Sequence, residues 1–138
     1  MRLSSMADYA VVTMCAAARH CGGTRVSAAE LASETGLPAP TVQKLVSLLS
    51  KAGLLRATRG SGGGLQLARP AAAITLADIV EAVEGPIALT TCLEQGRHDC
   101  ALESCCSVRP HWGVVNDALR GALADVPLTR LAQPKVAA

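Results

Sequence analysis

Hydrophobic residues recur with a helical period through much of the chain, and polar or glycine-containing segments separate these stretches. In the clearest stretch Val42, Leu45, Val46 and Leu49 are spaced i, i+3, i+4, i+7, which places them on one side of a helix. The opposite side is polar and carries Thr41, Gln43, Lys44, Ser47 and Lys51. Pro38 and Pro40 precede this stretch, at positions where a helix tolerates proline because the first amides have no intrahelical partner. The pattern predicts an amphipathic helix that packs only one face.

Three further helices are predicted from their first residues. The tetrapeptides SMAD (5–8), SAAE (27–30) and TLAD (75–78) each place a hydroxyl residue three positions before an acidic one, the spacing of a capping box. The first would open an apolar helix from Met6 to about Arg19. The second would open a short helix that stops at Gly36, and the third a helix that stops at Gly85.

A β-hairpin and a last helix complete the prediction. Residues 54–58 and 65–68 alternate weakly and flank the sequence RGSGGG (59–64), which is typical of two strands joined by a flexible tip. Residues 87–109 have little periodicity. After them Trp112, Val115, Leu119 and Leu123 mark a helix that ends before Pro127.

The order of these elements predicts a mainly α fold, a winged helix-turn-helix with a small β-hairpin wing and a long helix behind it. Two helices joined around Gly36, the second with a polar and basic exposed face, form the helix-turn-helix, and the hairpin that follows is the wing. In such a fold the second helix enters the major groove of double-stranded DNA. We expect Lys44, Lys51, Arg56 and Arg59 to meet phosphates, and Arg59 could also enter the minor groove. The candidate DNA-binding residues are Ala39, Pro40, Thr41, Gln43, Lys44, Arg56, Arg59, Ser61 and Gly62.

Charge is distributed unevenly along the chain. Residues 1–75 hold eight Lys or Arg and three Asp or Glu, a net charge of +5, whereas residues 76–138 hold five and eight, a net charge of −3. Between Thr35 and Ala77 there are five basic residues and no acidic one. Such a block suits a polyanion, although an ordinary solvated face has the same composition.

Composition narrows the function classes. No run approaches the roughly 20 apolar residues of a membrane span, and the start of the chain lacks the apolar region of a secretory signal, so we expect a cytoplasmic protein. The glycine-rich segment lacks the Lys-Ser/Thr that a nucleotide-binding loop requires. The three histidines are scattered, and no nucleophile and base pair can be argued. We therefore expect neither an enzyme nor a small-molecule substrate.

Four of the six cysteines lie close together in the non-periodic segment. Cys92, Cys100, Cys105 and Cys106 fall within fifteen residues, with His98 and His111 nearby. In a cytoplasmic protein such a group indicates metal rather than disulfides. Neighbouring residues tend to point apart, so the set reads as three cysteines, with either Cys105 or Cys106 as the third. The absence of a CxxC chelate pair disfavours structural zinc and suits iron–sulfur ligation. Cys15 lies in the apolar first helix and reads as a small core residue, and Cys21 reads as a surface thiol.

With these elements in place, the sequence resembles the Rrf2 family of winged-helix regulators over about residues 1–125. The resemblance is closest to the subgroup that regulates SUF-type iron–sulfur cluster assembly. It is carried by MRLS (1–4), DYA (8–10), GLPAPTV (36–42), Leu54, RGSGGGL (59–65), ADIVEAVEGPI (77–87), and the run Cys92…Cys100-x5-Cys106-x-Val108-Arg109-x-x-Trp112.

The resemblance implies a homodimer on an operator, formed through the long helix, with a 2Fe–2S or 4Fe–4S cluster on Cys92, Cys100 and Cys106 of each protomer. On this basis the chain divides into a winged helix-turn-helix domain (1–86), a cysteine-rich cluster-binding loop (87–107), a dimerisation helix (108–126) and a C-terminal tail (127–138). The expected function is an iron–sulfur-responsive transcriptional regulator, a repressor of SUF or related iron and redox genes.

This sequence departs from the family pattern at the ligands. The extra Cys105 makes the third ligand ambiguous, and Arg109 stands where some relatives have a histidine. The fourth ligand stays open between His111 and Asp8, which also fits the capping box of the first helix. Two other functions remain: a zinc-stabilised DNA-binding module without a sensing role, and a redox enzyme or cluster carrier, which the lack of a CxxC motif disfavours.

Overall fold

The computed structural model describes residues 1–20, 24–94, 99–102 and 104–133. The mainly helical fold with one two-stranded hairpin is confirmed. The elements are α1 (Ser5–Ala18), α2 (Ala28–Thr35), α3 (Ala39–Lys51), β1 (Leu55–Thr58), β2 (Gly64–Leu67), α4 (Leu76–Glu84), α5 (Arg109–Ala124) and α6 (Leu128–Leu131). Short 3-10 turns lie at Ala71–Ala73 and Thr91–Leu93.

The first helix is capped by Ser4 rather than by Ser5. Ser4 has extended backbone, and its hydroxyl accepts a hydrogen bond from the amide of Ala7 at 3.1 Å. The capping box expected at 5–8 is therefore wrong by one residue, because the helix starts one position earlier. Asp8 is exposed in the first turn, where its charge is favourable to the helix dipole without a capping bond.

The helix-turn-helix follows the sequence closely. The capping box of α2 is confirmed, with Ser27 and Glu30 each bonding the other's backbone amide at 3.0 Å. Gly36 ends α2 with φ +76°, a conformation that favours glycine, and only three residues separate the two helices. Pro38 and Pro40 lie at the start of α3, as predicted. The predicted stripe packs in the core, with Val42, Leu45 and Leu49 fully buried and Val46 partly buried.

The wing contains a third extended segment that the sequence did not indicate. Strands β1 and β2 are antiparallel, with Leu55 opposite Leu67 and Thr58 opposite Gly64. Val26 pairs with Leu65 on the other side of β2 through two backbone hydrogen bonds of 3.0 and 2.7 Å. Leu55 and Leu65 are buried, which seats the base of the wing on the core.

The last helices differ from the expected tail. Helix α4 has the predicted box between Thr75 and Asp78 and packs against α1 and α3, while α5 packs against α4 and buries no residue fully. Residues 128–131 form α6, and Leu128 is fully buried in the core beside α1. The expectation of a C-terminal tail from residue 127 is therefore wrong for residues 128–131. Leu128 is buried in the core and Leu131 packs against it. None of the helices in the described ranges has the length and apolar character needed to cross a bilayer.

Candidate nucleic-acid interface and thiol-lined cavity

The start of α3 presents the residues expected to read bases. Ala39, Pro40, Gln43 and Lys44 are exposed, and Thr41 is partly exposed. The buried stripe of α3 fixes the rotation of the helix, so these side chains lie on the face turned away from the core. The arrangement leaves a polar and cationic helix surface free to enter a groove.

The wing carries the other candidates at its edge and tip. Arg56 on β1 is exposed, as are Arg59, Ser61 and Gly62 in the connecting loop. Gly60 and Gly62 have φ of +100° and +84°, and Gly63 has no space for a side chain. A Cβ at Gly63 would overlap the carbonyl oxygen of Thr58 and lie 2.8 Å from that of Gly60. The tip is therefore a tight backbone turn that projects Arg59.

Arg25 is a functional candidate that sequence reasoning missed. Its guanidinium Nη1 donates a hydrogen bond of 2.8 Å to the carbonyl oxygen of Gly62, at the tip of the wing. Arg25 is exposed, so it also adds a positive charge to the surface formed by the wing. Its hydrogen bond at the same time holds the tip in place. The contact spans 37 positions of sequence and depends on the pairing of Val26 with β2, which no local pattern reveals.

One salt bridge and one hydrogen bond engage charged groups near the basic block. Arg69 lies 3.6 Å from Asp78, so this member of the basic block is bound within the fold. Glu34, at the end of α2, is paired with His20 through Oε1 and Nε2 at 2.6 Å. The basic surface is accordingly centred on α3 and the wing.

Three of the candidate ligand cysteines line one cavity. Cys92, Cys100 and Cys106 surround a space of about 340 Å³ at the start of α5, together with Thr90, Thr91, Leu102, Arg109 and Trp112. The hydroxyl oxygen of Thr90 lies 3.0 Å from the Cys92 sulfur. Among the described residues, the walls do not include Cys105 or His111. Asp8 is in α1, and Cys21 and His98 lie outside the described residues.

The side chains of this cavity are of the type that the expected cofactor requires. Thiols are the ligands that iron–sulfur clusters use, and three of them share this cavity. Within the described ranges no three His, Cys, Asp or Glu side chains converge closely enough to hold a single metal ion. Thiol ligands that share one cavity fit an iron–sulfur cluster. Such a cluster would connect the three loop positions 92, 100 and 106.

Cys15 does not belong to this group. It is 8% exposed inside α1, which confirms its prediction as a core residue. Burial raises the pKa of its thiol, although the nearby Arg19 charge acts in the opposite direction. A thiol held neutral in this way is poorly suited to bind metal or react.

Polar side chains join the cavity segment to the helices on either side of it. The carboxylate of Glu81 on α4 accepts hydrogen bonds from Arg120 on α5 and from the amide of Ile87. Burial of this carboxyl would raise its pKa, but the hydrogen bonds from Arg120 and Ile87 outweigh burial, so the pKa lies below its ordinary value. The same ion pair raises the pKa of Arg120.

Comparison with known proteins gives consistent matches over almost the whole chain. Residues 3–134 match the Rrf2 family, described as iron-dependent transcriptional regulators. The chain is 33% identical over 131 residues to the HTH-type transcriptional regulator IscR of Photorhabdus laumondii, covering 95% of this chain and 79% of that protein.

Solved structures match as well. CymR, described as the global cysteine regulator of B. subtilis, superposes with a TM-score of 0.73 at 29% identity, covering 96% of both chains. IscR of T. potens superposes with a TM-score of 0.70 at 26% identity, covering 99% of this chain and 94% of that one.

Proposed function

Because the chain belongs to the Rrf2 family of transcriptional regulators, we propose that it is a repressor whose operator affinity is set by an iron–sulfur cluster on Cys92, Cys100 and Cys106. The chain is a DNA-binding regulator rather than an enzyme. The sensing role, the ligands and the target genes are the proposal. The observation that carries it is the cavity at the start of α5, into which three of the clustered thiols open.

Reading of the operator is assigned to α3 and the wing. The exposed residues at the start of α3 contact base edges, while Lys44 and Arg56 neutralise phosphates and release counterions. Arg59 enters the adjacent minor groove, and the small residues Ser61 and Gly62 let the tip approach the duplex closely.

A homodimer would place two winged helix-turn-helix domains, here called the DNA-reading heads, on one operator. Helix α5 has exposed apolar side chains, with Val114 73% and Val115 46% accessible. Exposed apolar surface of this kind is typical of a site that a partner covers. Burying this face against a second copy would fix the distance between the two α3 helices. Since both half-sites must be met together, a small change in that distance would change affinity strongly.

The cysteine cavity is well placed to alter this geometry. When bound, an iron–sulfur cluster would supply a cross-link between three loop positions that oxidation or loss of iron removes. The loop that carries the cysteines is joined to α4 at one end and to α5 at the other. A change in the conformation of this loop would therefore shift the DNA-reading head relative to α5, the proposed dimerisation helix. A decisive switch requires the two states to differ by about 3–5 kcal/mol in operator affinity. By family resemblance, the targets are SUF or related iron and redox genes.

The test begins with anaerobic purification from iron-replete cells. We expect a coloured protein with acid-labile sulfide, and different affinities of the loaded and empty forms for an operator selected from random duplexes. The Cys92→Ala, Cys100→Ala and Cys106→Ala variants should lose sulfide, whereas Cys105→Ala and Cys15→Ala should retain it. Loss of sulfide in the Cys105 variant, or retention in the Cys106 variant, would overturn the ligand assignment. A colourless protein with stoichiometric zinc would instead establish the zinc-stabilised module.

A further inference from the structure

The backbone segment that leads from α4 to the cysteine cavity is held by two side chains. The carboxamide of Asn116 on α5 donates to the carbonyl oxygen of Ile87 through Nδ2 and accepts from the amide of Leu89 through Oδ1, both at 2.9 Å. The amide of Ile87 donates to Oε2 of Glu81 on α4 at 3.0 Å. Three backbone groups within three residues are thus fixed by one residue from each flanking helix.

The same two helices are tied to each other directly. Arg120 donates to Oε1 of Glu81 through Nε at 3.0 Å and through Nη2 at 2.7 Å. Both oxygens of the Glu81 carboxylate are therefore used, one toward α5 and one toward the loop. We call the set formed by Glu81, Asn116, Arg120 and the backbone of 87–89 the α4–α5 clamp.

The clamp is continuous with the cysteine cavity along one side of α5. Trp112, Asn116 and Arg120 are spaced four residues apart, so they follow one another on the same helix face. Trp112 is a wall of the cavity, Asn116 holds the loop, and Arg120 reaches α4. Helix α4 in turn packs against α3, the helix with the candidate base-reading residues. The cavity wall, these hydrogen bonds and the packing of α4 on α3 thus form one continuous part of the structure between the thiols and α3.

Movement of Cys92 acts on the clamp after a very short length of chain. Only Thr90 and Thr91 separate Leu89 from Cys92, and the Thr90 hydroxyl contacts the Cys92 sulfur. A backbone displacement at Cys92 therefore reaches the hydrogen bonds at Leu89 and Ile87 through only two intervening residues.

We propose that Asn116 and Arg120 are positioning residues that couple occupancy of the cysteine cavity to the pose of the DNA-reading head. This coupling role rests on the proposed sensing function. Asn116 transmits the state of the loop to α5, and Arg120 passes it to α4 through Glu81. Neither residue lines the cysteine cavity and both lie on α5, outside α3 and the wing, so replacing them should remove communication and leave both sites in place.

The clamp itself is tested in the cluster-free protein by amide hydrogen exchange. Asn116→Ala should accelerate exchange at the Leu89 amide at least tenfold, because that amide loses its acceptor, while amides of α2 remain unchanged. Unchanged exchange at Leu89 would overturn the proposal before any cluster is considered.

Coupling is tested by measuring operator affinity of the loaded and empty forms of each variant. Asn116→Ala and Arg120→Gln should reduce the ratio of the two affinities at least tenfold toward unity. Their sulfide content should match the wild type, and their empty-form affinity should stay within about twofold of it. Arg130→Gln, which removes an exposed arginine of α6, is the matched control and should keep the full ratio.

The outcomes separate the two proposals. If both clamp variants keep the wild-type ratio, the coupling role is wrong and the sensing function stands. If the loaded and empty wild-type proteins bind equally, the sensing function fails and the coupling role fails with it. Should Asn116→Ala lose its circular-dichroism signal, Arg120→Gln alone decides the question.

Discussion

Replacing Gly63 by alanine tests whether the tight tip of the wing is needed for operator binding. The new Cβ would overlap the carbonyl oxygen of Thr58 and lie within 3 Å of backbone atoms of Gly60 and Arg59. All three neighbours are backbone, so no side chain can rotate out of the way. The tip must therefore open. This movement displaces both Arg59 and the Gly62 carbonyl that accepts the hydrogen bond from Arg25.

Two magnitudes follow from this geometry. Forcing an extra carbon into a packed position costs about 1–3 kcal/mol of unfolding free energy. A displaced Arg59 would lose the proposed groove contact, and one such arginine is worth about 1–3 kcal/mol of operator affinity, or about 5-fold to 150-fold. The helical core lies elsewhere, so the variant should remain folded while binding weakly.

Gly53→Ala is the matched control. Gly53 has φ +79°, and a Cβ there meets no atom within 4 Å, so the substitution costs about 1–2 kcal/mol of backbone strain without touching the wing. Urea unfolding should show similar losses of stability in the two variants. Fluorescence anisotropy with a labelled operator should show a loss of affinity only for Gly63→Ala. Equal operator affinity of the two variants would refute the role given to the tip.

Three further outcomes are expected. Arg25→Ala should weaken operator binding about threefold to tenfold and reduce the slope of log Kd against log salt by about 1, whereas Arg25→Lys should keep the slope; identical slopes in a salt titration would contradict a charge contact. The lowered pKa of Glu81 means that the folded state favours its carboxylate, so this stabilisation is present above about pH 4.5 and is lost as pH falls through the lowered pKa. Urea unfolding of Glu81→Gln should therefore converge with the wild type in acid, and a difference constant from about pH 3 to pH 7 would exclude the effect. Leu128→Ala should lower the unfolding free energy by about 2–5 kcal/mol, since Leu128 is fully buried, and a change below about 0.5 kcal/mol would show that α6 is not part of the core.

Local signals predicted the elements that depend on local chemistry. The capping boxes at Ser27 and Thr75, the stop at Gly36 and the stripe of α3 concern residues within one or two turns of each other, so the sequence contained all the information. The cap of α1 lies one residue before the predicted one because Ser4 caps the helix without an acidic residue three positions later, so the capping-box spacing favoured Ser5.

Features that depend on distant pairing were not predicted. The brace from Arg25 to Gly62, the clamp from Asn116 to Leu89 and the burial of Leu128 join residues that are far apart in sequence. Each contact forms only after the elements have packed, so the hydrophobic periodicity of the sequence does not predict it. The cysteine cluster was visible as a composition, but the selection of Cys106 over Cys105 as a cavity wall required the fold.

The return of α6 to the core has a consequence for synthesis of the protein. Leu128 completes a cluster whose other members include residues of α1, α2, α3, α4 and the wing, and its amide donates to the carbonyl of Ile74 at 2.8 Å. During translation this part of the core therefore stays incomplete until the ribosome has released Leu128 and the rest of α6. A polypeptide interrupted earlier would leave the core residues around Leu128 exposed, which lowers its stability and favours its degradation.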